Sequence, residues 1–451
     1  MKRFLTLLLL VITTLSFAGI FDGLFGEKPP KYVFLFIGDG MASPQRMVAD
    51  EFARHAGHAR LVINQMPYHG TTRTGSTSSL VTDSAASGTA IACGEKTYNG
   101  AIGVAVDGKR HLVSVAEIAK QTGKKVGIIT TVTINHATPA AFYAHRPQRS
   151  QYYEIGLDLI ASQFDFFAGA GVAQQNHKKS SAYRGDICEL AEKAGYKVFS
   201  KSVDFAALKQ YERVLINVSI PYSIDTPENH PYTLANLTAQ GIKFLDNSKG
   251  FFMMVEGGKI DYAGHANDAA TNLREVFAFD DAVKVAVDFA AKHPDETLIV
   301  VTGDHETGGM TMGFAATGYA MYMERLAFQK CSVDAFHNKI KSAQKANPNF
   351  SFDDAKKMLT ESFGFRFDGK DQSPMQINAR ELKTLQDAFK AGKLANAARL
   401  IMAAKAGIGW STGAHTALPV LTTATGKYAE RFTGFYENTE ISNRLKEILL
   451  K

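Results

Sequence analysis

Four apolar, β-branched runs constrain this chain most, because each stops at a cluster rich in Gly, Asp, Glu, His or Thr. They are "YVFLFIGDG" (32–40), "KVGIITT" (125–131), "FFMMVEGGKID" (251–261) and "TLIVVTGDHETGG" (297–309). A strand that is apolar at nearly every position is buried on both faces, the habit of a parallel sheet covered by helices. Helical periodicity falls between the runs, in "LVSVAEIAKQTG" (112–123) and "LREVFAFDDAVKVAVDFAAKH" (273–293). The alternation predicts an α/β fold, a mostly parallel central sheet sandwiched by helices. Ligands of such sheets sit beyond the carboxyl ends of the strands, and Asp39, Glu256, Asp261, Asp304 and His305 all fall there.

The rest of the 451 residues divides by composition. "MKRFLTLLLLVITTLSFA" carries Lys2 and Arg3, a short apolar stretch and then Ser16-Phe17-Ala18, the pattern of a secretory signal peptide over residues 1–18. Export to the periplasm or the outside of the cell is the expectation. Residues 19–30 read as a linker and 31–330 as the main core. The Lys/Ala/Gln-rich stretch 331–406 reads as a helical insertion, and 407–451 completes the core, closing on the amphipathic helix "ISNRLKEILLK". Loss of the leader lowers the net charge from +6 to +4. Without blocks of Lys/Arg interleaved with aromatics, nucleic-acid binding has no support. Cys93, Cys188 and Cys331 allow at most one bridge, so no disulfide framework is expected.

The chemistry-bearing groups cluster. Asp261 and His265 are four apart, so one turn of helix turns both to the same side, as a zinc pair needs. Asp304 and His305 are adjacent, and both can ligate one ion only if the backbone turns there; Gly303, Gly308 and Gly309 make that turn plausible. "GDG" (38–40) adds Asp39 and "TGAHT" adds His415. Each carboxylate alone would read as a cap or turn residue. Gathered at one sheet edge they would repel unless cations sat among them. Mixed His/Asp ligation suits zinc, and all-oxygen ligation suits magnesium. The segment "VTDSAASGTA" (81–90) has two readings: a tightly packed run of small side chains, or a nucleophilic Ser84 kept uncrowded for a bulky anion.

Six motifs, "FIGDGM", "VTDSAASGTA", "NHATPAAFYAHRPQR", "VEGGKIDYAGH", "TGDHETGG" and "STGAHT", occur in the order and surroundings of the alkaline phosphatases. The chain resembles that family over residues 31–315 and again over 406–425. The resemblance implies an alkaline phosphatase-like fold and hydrolysis of phosphate monoesters through a phosphoserine on Ser84. It also implies two zinc ions and one magnesium. One zinc would be held by Asp261, His265 and His415. The other would be held by Asp39, Asp304 and His305, with Ser84 as fourth ligand, and the magnesium by Asp39, Thr138 and Glu256. Arg149 falls where the family keeps its phosphate-binding arginine, with Arg146 as competitor, and Asp83 is placed to orient Arg149. His136 and Tyr262 complete the substrate-binding set and depart from the best-known bacterial pattern. His136 stands where many bacterial members have Asp and animal members have His, which opens the third site to zinc. Tyr262 replaces a Lys, His or Trp. Relatives are often homodimers.

The nearest alternative is a metal-dependent phosphodiesterase or nucleotide pyrophosphatase on the same core. Those generally lack the third-metal set, so Thr138 and Glu256, with Arg149, favour monoesters. A non-catalytic zinc-binding protein would have no use for Ser84 or Arg149. A sulfatase needs a modifiable residue followed by Pro and Arg, which "SAASG" does not offer.

Overall fold

The computed structural model describes residues 28–369 and 373–451. The expected leader 1–18, and the linker up to residue 27, lie outside the described residues. The strands in chain order are β1 (Tyr32–Gly38), β2 (Tyr68–Arg73), β3 (Lys125–Thr130), β4 (Phe166–Gly169), β5 (Tyr196–Phe199), β6 (Arg213–Asn217) and β7 (Phe251–Glu256). They continue with β8 (Thr297–Gly303), β9 (Glu306–Thr307), β10 (Met310–Met312), β11 (Ile408–Trp410), β12 (His415–Thr416), β13 (Val420–Gly426) and β14 (Gly434–Glu437). Ten of them form one sheet in the order β14-β2-β13-β8-β1-β7-β3-β4-β6-β5, in which only β13 runs antiparallel to its neighbours. β9 pairs with β12 and β10 with β11 in two small antiparallel ribbons.

The continuous apolar runs feed two cores. Along β1, Tyr32, Phe34 and Phe36 face one side while Val33, Leu35 and Ile37 face the other. β7 divides in the same way, with Phe251, Met253 and Val255 opposite Phe252 and Met254. Alternation at period two thus makes each all-apolar strand serve both layers. The first core is covered by helices Ser43–His55, Leu234–Leu245 and Ala269–Ala290. Helices Val115–Gln121, Tyr152–Ser162, Ile187–Lys193 and Thr439–Leu449 cover the second.

Among the described residues between 333 and 406 lie four helices, Val333–Ala346, Phe352–Phe363, Ala379–Lys390 and Leu394–Ala406. Their apolar faces, through Phe336, Leu359, Phe363, Ala398 and Met402, merge with the first core. Asp268 fastens the joint. Its buried carboxylate caps helix Ala269–Ala290 at Thr271 and accepts from Gln329 Nε2 and Val333 N. That cap starts the helix at Ala269, earlier than periodicity alone places it. In the same way the capping box of Ser114 and Glu117 delays the helix expected over 112–123 to Val115. The three cysteines are unpaired.

Strand register positions the functional edge. Ile37 of β1 lies beside Glu256 of β7 and Thr302 of β8, Gly38 lies beside Gly303, and Thr130 of β3 lies beside Glu256. Asp39, Glu256 and Asp304 therefore leave the sheet within one layer.

Glu275, on the inner face of helix Ala269–Ala290, accepts from Ser223 N at 2.6 Å. Burial pushes its carboxyl up to about 7 from an ordinary 4.5, against the pull of the Ser223 N–H and Lys259. A raised carboxyl value means that the folded state holds the proton more tightly, so this stability is full below the unfolded value. It is lost as pH climbs through the folded one. Glu275→Gln keeps an acceptor for Ser223 and removes the charge. It should leave stability unchanged at pH 4 and raise it by roughly 1–3 kcal/mol above pH 8, read from urea unfolding. An equal effect at both pH values would contradict the assignment.

Candidate active site

Asp39 follows β1 in a tight turn that requires Gly40. This glycine sits at φ +71, and a Cβ there would come within 3.0 Å of the Asp261 backbone. Gly40 N donates to Asp304 Oδ1 at 3.0 Å, as does His305 N. The backbone bends between β8 and β9, so the adjacent Asp304 and His305 both reach one point. His305 Nε2 lies 3.3 Å from Asp39 Oδ1 and 3.4 Å from Asp304 Oδ2. All three residues are fully buried.

Ser84 opens helix Ser84–Cys93, whose residues are all buried, and Asp83 caps it by accepting from Ala86 N. Ser84 Oγ lies 3.1 Å from His305 Nε2. The run of small residues has a packing cause as well. A Cβ on Gly88 would stand 3.3 Å from both Thr138 Cα and Ala141 Cβ, so the helix lies directly on the segment that carries Thr138. Thr138 Oγ1 donates to Asp39 Oδ2 at 3.3 Å.

Asp261 and His265 share one face of the short helix Lys259–His265, 3.4 Å apart, and β12 brings His415 Nε2 to 3.6 Å from Asp261. Backbone carbonyls fix both imidazoles: His265 Nδ1 pairs with Gly413 O and His415 Nδ1 with Thr82 O, each at 2.8 Å. With the Nδ1 atoms protonated as donors, the two Nε2 lone pairs face each other at 3.1 Å. Two acceptors so close call for a cation between them. His305 follows the same rule. Its Nδ1 meets Thr307 Oγ1, which itself donates to Asp261 Oδ1 at 2.6 Å, leaving Nε2 free to ligate.

Glu256, at the end of β7, accepts from Thr130 Oγ1, while its Oε1 accepts no hydrogen bond. Buried Asp39 Oδ1 and His136 Nδ1 are orphaned as well. Among the described residues, three groups have ligand atoms within 4.8 Å of one another: Asp261/His305/His415, Asp39/Asp304/His305 and Asp39/His136/Glu256. Burial and mutual repulsion raise Asp39 and Asp304 well above the usual carboxylate range, and burial takes Glu256 to about 7. The imidazoles move the other way. Burial and neighbouring cationic groups hold His305 well below its ordinary value, and burial with Arg149 takes His136 to about 3. Orphaned oxygens, raised carboxyls and neutral imidazoles are the pattern of a ligand set built around positive charge.

Arg149 stands at the rim. Its Nη1 donates to Asp83 Oδ2 at 3.1 Å and its Nη2 to His136 Nε2 at 3.2 Å. Arg146 is turned away and held by the Asp158 carboxylate through Nε and Nη2. The half-exposed Tyr262 ring meets His136 edge-on at 5.8 Å. Sequence reading missed Thr130, Thr307, Glu306 and Gln45. Of these, Gln45 lies in no motif, and the others sat inside runs already singled out.

The fold is an α/β sandwich whose functional edge gathers His, Asp and Glu groups able to bind metal, as a hydrolase of this kind would. The particular family follows from comparison, since residues 30–450 match the family model "Alkaline phosphatase". The chain belongs to the alkaline phosphatase family, and its reaction is the hydrolysis of phosphate monoesters. It is 30% identical to an alkaline phosphatase of Schizosaccharomyces pombe, over 96% of this chain and 85% of the relative. Identity to alkaline phosphatase 3 of Bacillus subtilis is 32%, over 93% and 89%. The crystal structure of a cold-active alkaline phosphatase from a psychrophilic Shewanella superposes with a TM-score of 0.79 at 30% identity, covering 93% of this chain and all of that one.

Ions at this edge should relieve the carboxylate repulsion in the folded state alone. Chelator-treated protein is expected to unfold at a lower temperature than metal-loaded protein in calorimetry, and added zinc should restore the midpoint. A midpoint indifferent to zinc would mean that the cluster binds none.

Proposed function

We propose that the chain is an exported alkaline phosphatase that works in two steps through a phosphoserine on Ser84. The observation that carries the reading is Ser84 Oγ at a helix start, beside His305 and within a buried set of neutral imidazoles and orphaned carboxylate oxygens. Asp261, His265 and His415 would hold one zinc. Asp39, Asp304 and His305, with Ser84, would hold the second, and Asp39, Thr138 and Glu256 a third ion with His136 beside it. When bound, these cations neutralise the charge that develops on the attacking and departing oxygens.

The chain's own groups supply the rest. Ser84 Oγ attacks phosphorus, the bond to the leaving oxygen breaks, and the alcohol departs. Water then attacks phosphorus, the P–Oγ bond breaks, and phosphate leaves; two inversions give net retention. The helix start offers backbone amides to the incoming dianion. Arg149, steadied by Asp83, presents a fork to two non-bridging oxygens, a geometry that lysine lacks. Tyr262 stands where it can border the leaving group. Export rests on the leader-like segment 1–18. Among the described residues no helix is long and apolar enough to cross a membrane. We assign the core to 31–330 and 407–451, with 331–406 as the insertion.

An aryl phosphate monoester should be turned over far faster than the matching diester, and only with zinc present. Ser84→Ala should abolish nearly all turnover while retaining zinc; ordinary rates in that variant would sink the covalent scheme. Arg149→Lys is expected to lower kcat/KM by about 10–100-fold, the worth of one or two charge-assisted hydrogen bonds. Metal analysis showing only magnesium at the third site would overturn a role for His136 in admitting zinc there.

A further inference from the structure

Glu306 lies between the proposed ligand His305 and Thr307, fully buried, yet it belongs to none of the three candidate metal groups. Its carboxylate is saturated instead. Oε1 accepts from Gln45 Nε2 at 2.7 Å and Met310 N at 3.0 Å. Oε2 accepts from Gly309 N at 3.0 Å and Thr416 Oγ1 at 2.5 Å. These donors come from helix Ser43–His55, from the turn after β9 and the start of β10, and from β12, so one side chain ties together three separate stretches. One of them adjoins a proposed metal ligand. Thr416 follows His415 and pairs with Glu306 across the β9–β12 ribbon, where His415 pairs with Thr307. Gln45, itself fully buried, also donates to the Thr307 carbonyl at 3.0 Å, and its Oε1 accepts from Ala42 N.

A ribbon of two residues per strand cannot hold its own register, because so few ladder bonds offset the entropy of ordering it. Yet the site depends on it. The rings of His305 and His415 stack at 3.7 Å, and His415 Nε2 must meet both Asp261 and His265. We propose that Glu306 is a positioning residue: its carboxylate, through Thr416 and Gln45, locks β9 against β12. The lock sets His415 and His305 at the separation that zinc binding requires. Only a carboxylate fits, since a glutamine amide would set its NH2 against one of the two pairs of donors. The inference rests on the metal assignment under Proposed function and deepens it.

The test uses the full chain in its wild-type, Glu306→Gln and Thr416→Val forms. Each is equilibrated in zinc buffered by nitrilotriacetate, and bound zinc is counted by mass spectrometry. Unfolding midpoints are measured on the same proteins stripped with EDTA. Glu306→Gln should need about 10–100-fold more free zinc to fill its weakest zinc site. Thr416→Val should shift in the same direction by less, and activity of both should recover in excess zinc. Zinc affinity unchanged in both variants would overturn the proposal. So would lowered midpoints of the stripped proteins with no change in affinity, which would make Glu306 a purely structural residue. If Glu306→Gln does not fold, Thr416→Val decides alone. A wild-type protein that binds no zinc would fail the metal assignment itself, whereas normal wild-type binding with unaltered variants fails only the role of Glu306.

Discussion

The register of three parallel strands is the constraint from which the rest follows. β1, β7 and β8 pair so that Ile37, Glu256 and Thr302 stand level, and two residues further on the chain has left β1 and β8, at Asp39 and Asp304. Three carboxylates are thereby delivered into one buried layer, where burial raises all three, Asp304 and Glu256 further oppose the ionisation of Asp39, and Glu256 opposes that of Asp304. Slipping any strand by one residue would turn its site residue to the other face and exchange both cores. The two apolar layers that fix the register are therefore also what holds the charge conflict in place. A cation would resolve that conflict, and the nearby imidazoles of His265, His305 and His415 are held by the partners of their Nδ1 atoms.

Small side chains serve the same economy of space. The helix that starts at Ser84 presents alanine, serine and glycine on every side because it is wedged between the Thr138 segment, Asp304 and the C-terminal helix. Ser87 Oγ donates to the Asp304 carbonyl, Asn438 donates to Ser87, and Ser442 donates to the Ala92 carbonyl. Of the two readings of "VTDSAASGTA", the tight packing of small side chains is seen directly in these contacts. A larger residue at Gly88 would push the helix off Thr138 and carry Ser84 away from His305.

Much of this was legible in the sequence, and the reason is physical. Long, doubly buried strands such as β1, β7 and β8 leave unbroken apolar runs, and ligands at their ends interrupt those runs with Asp, Glu and Gly. The shorter outer strands β4, β5 and β6 carry four or five residues each and blend into their surroundings, so they were not read. β2 and β14 were missed: β2 carries Thr71 and Thr72 in place of apolar residues, and β14 has only four residues, while in the sheet interior Thr422 hydrogen-bonds with both Thr72 and Thr302. The choice between Arg146 and Arg149 has a visible cause only in three dimensions. Asp158, a helix away in sequence, claims Arg146 and leaves Arg149 to Asp83 and His136. Gln45 illustrates the hardest case, since its role comes from partners more than 250 residues distant.

What separates the carboxylates of this molecule is the count of donors each receives, and burial alone does not sort them. Glu306 and Asp268 are buried and each accepts four hydrogen bonds, two on each oxygen. Asp39 and Glu256 are equally buried, yet each keeps an oxygen that accepts none. A fold that can surround Glu306 with amides and hydroxyls could have done the same for Asp39, and the turn at Gly40 instead spends its N–H on Asp304. Leaving those oxygens bare costs stability in the metal-free chain. An ion would offset that cost, so the bare oxygens of Asp39 and Glu256 support the proposed cation site beyond the mere presence of acidic residues.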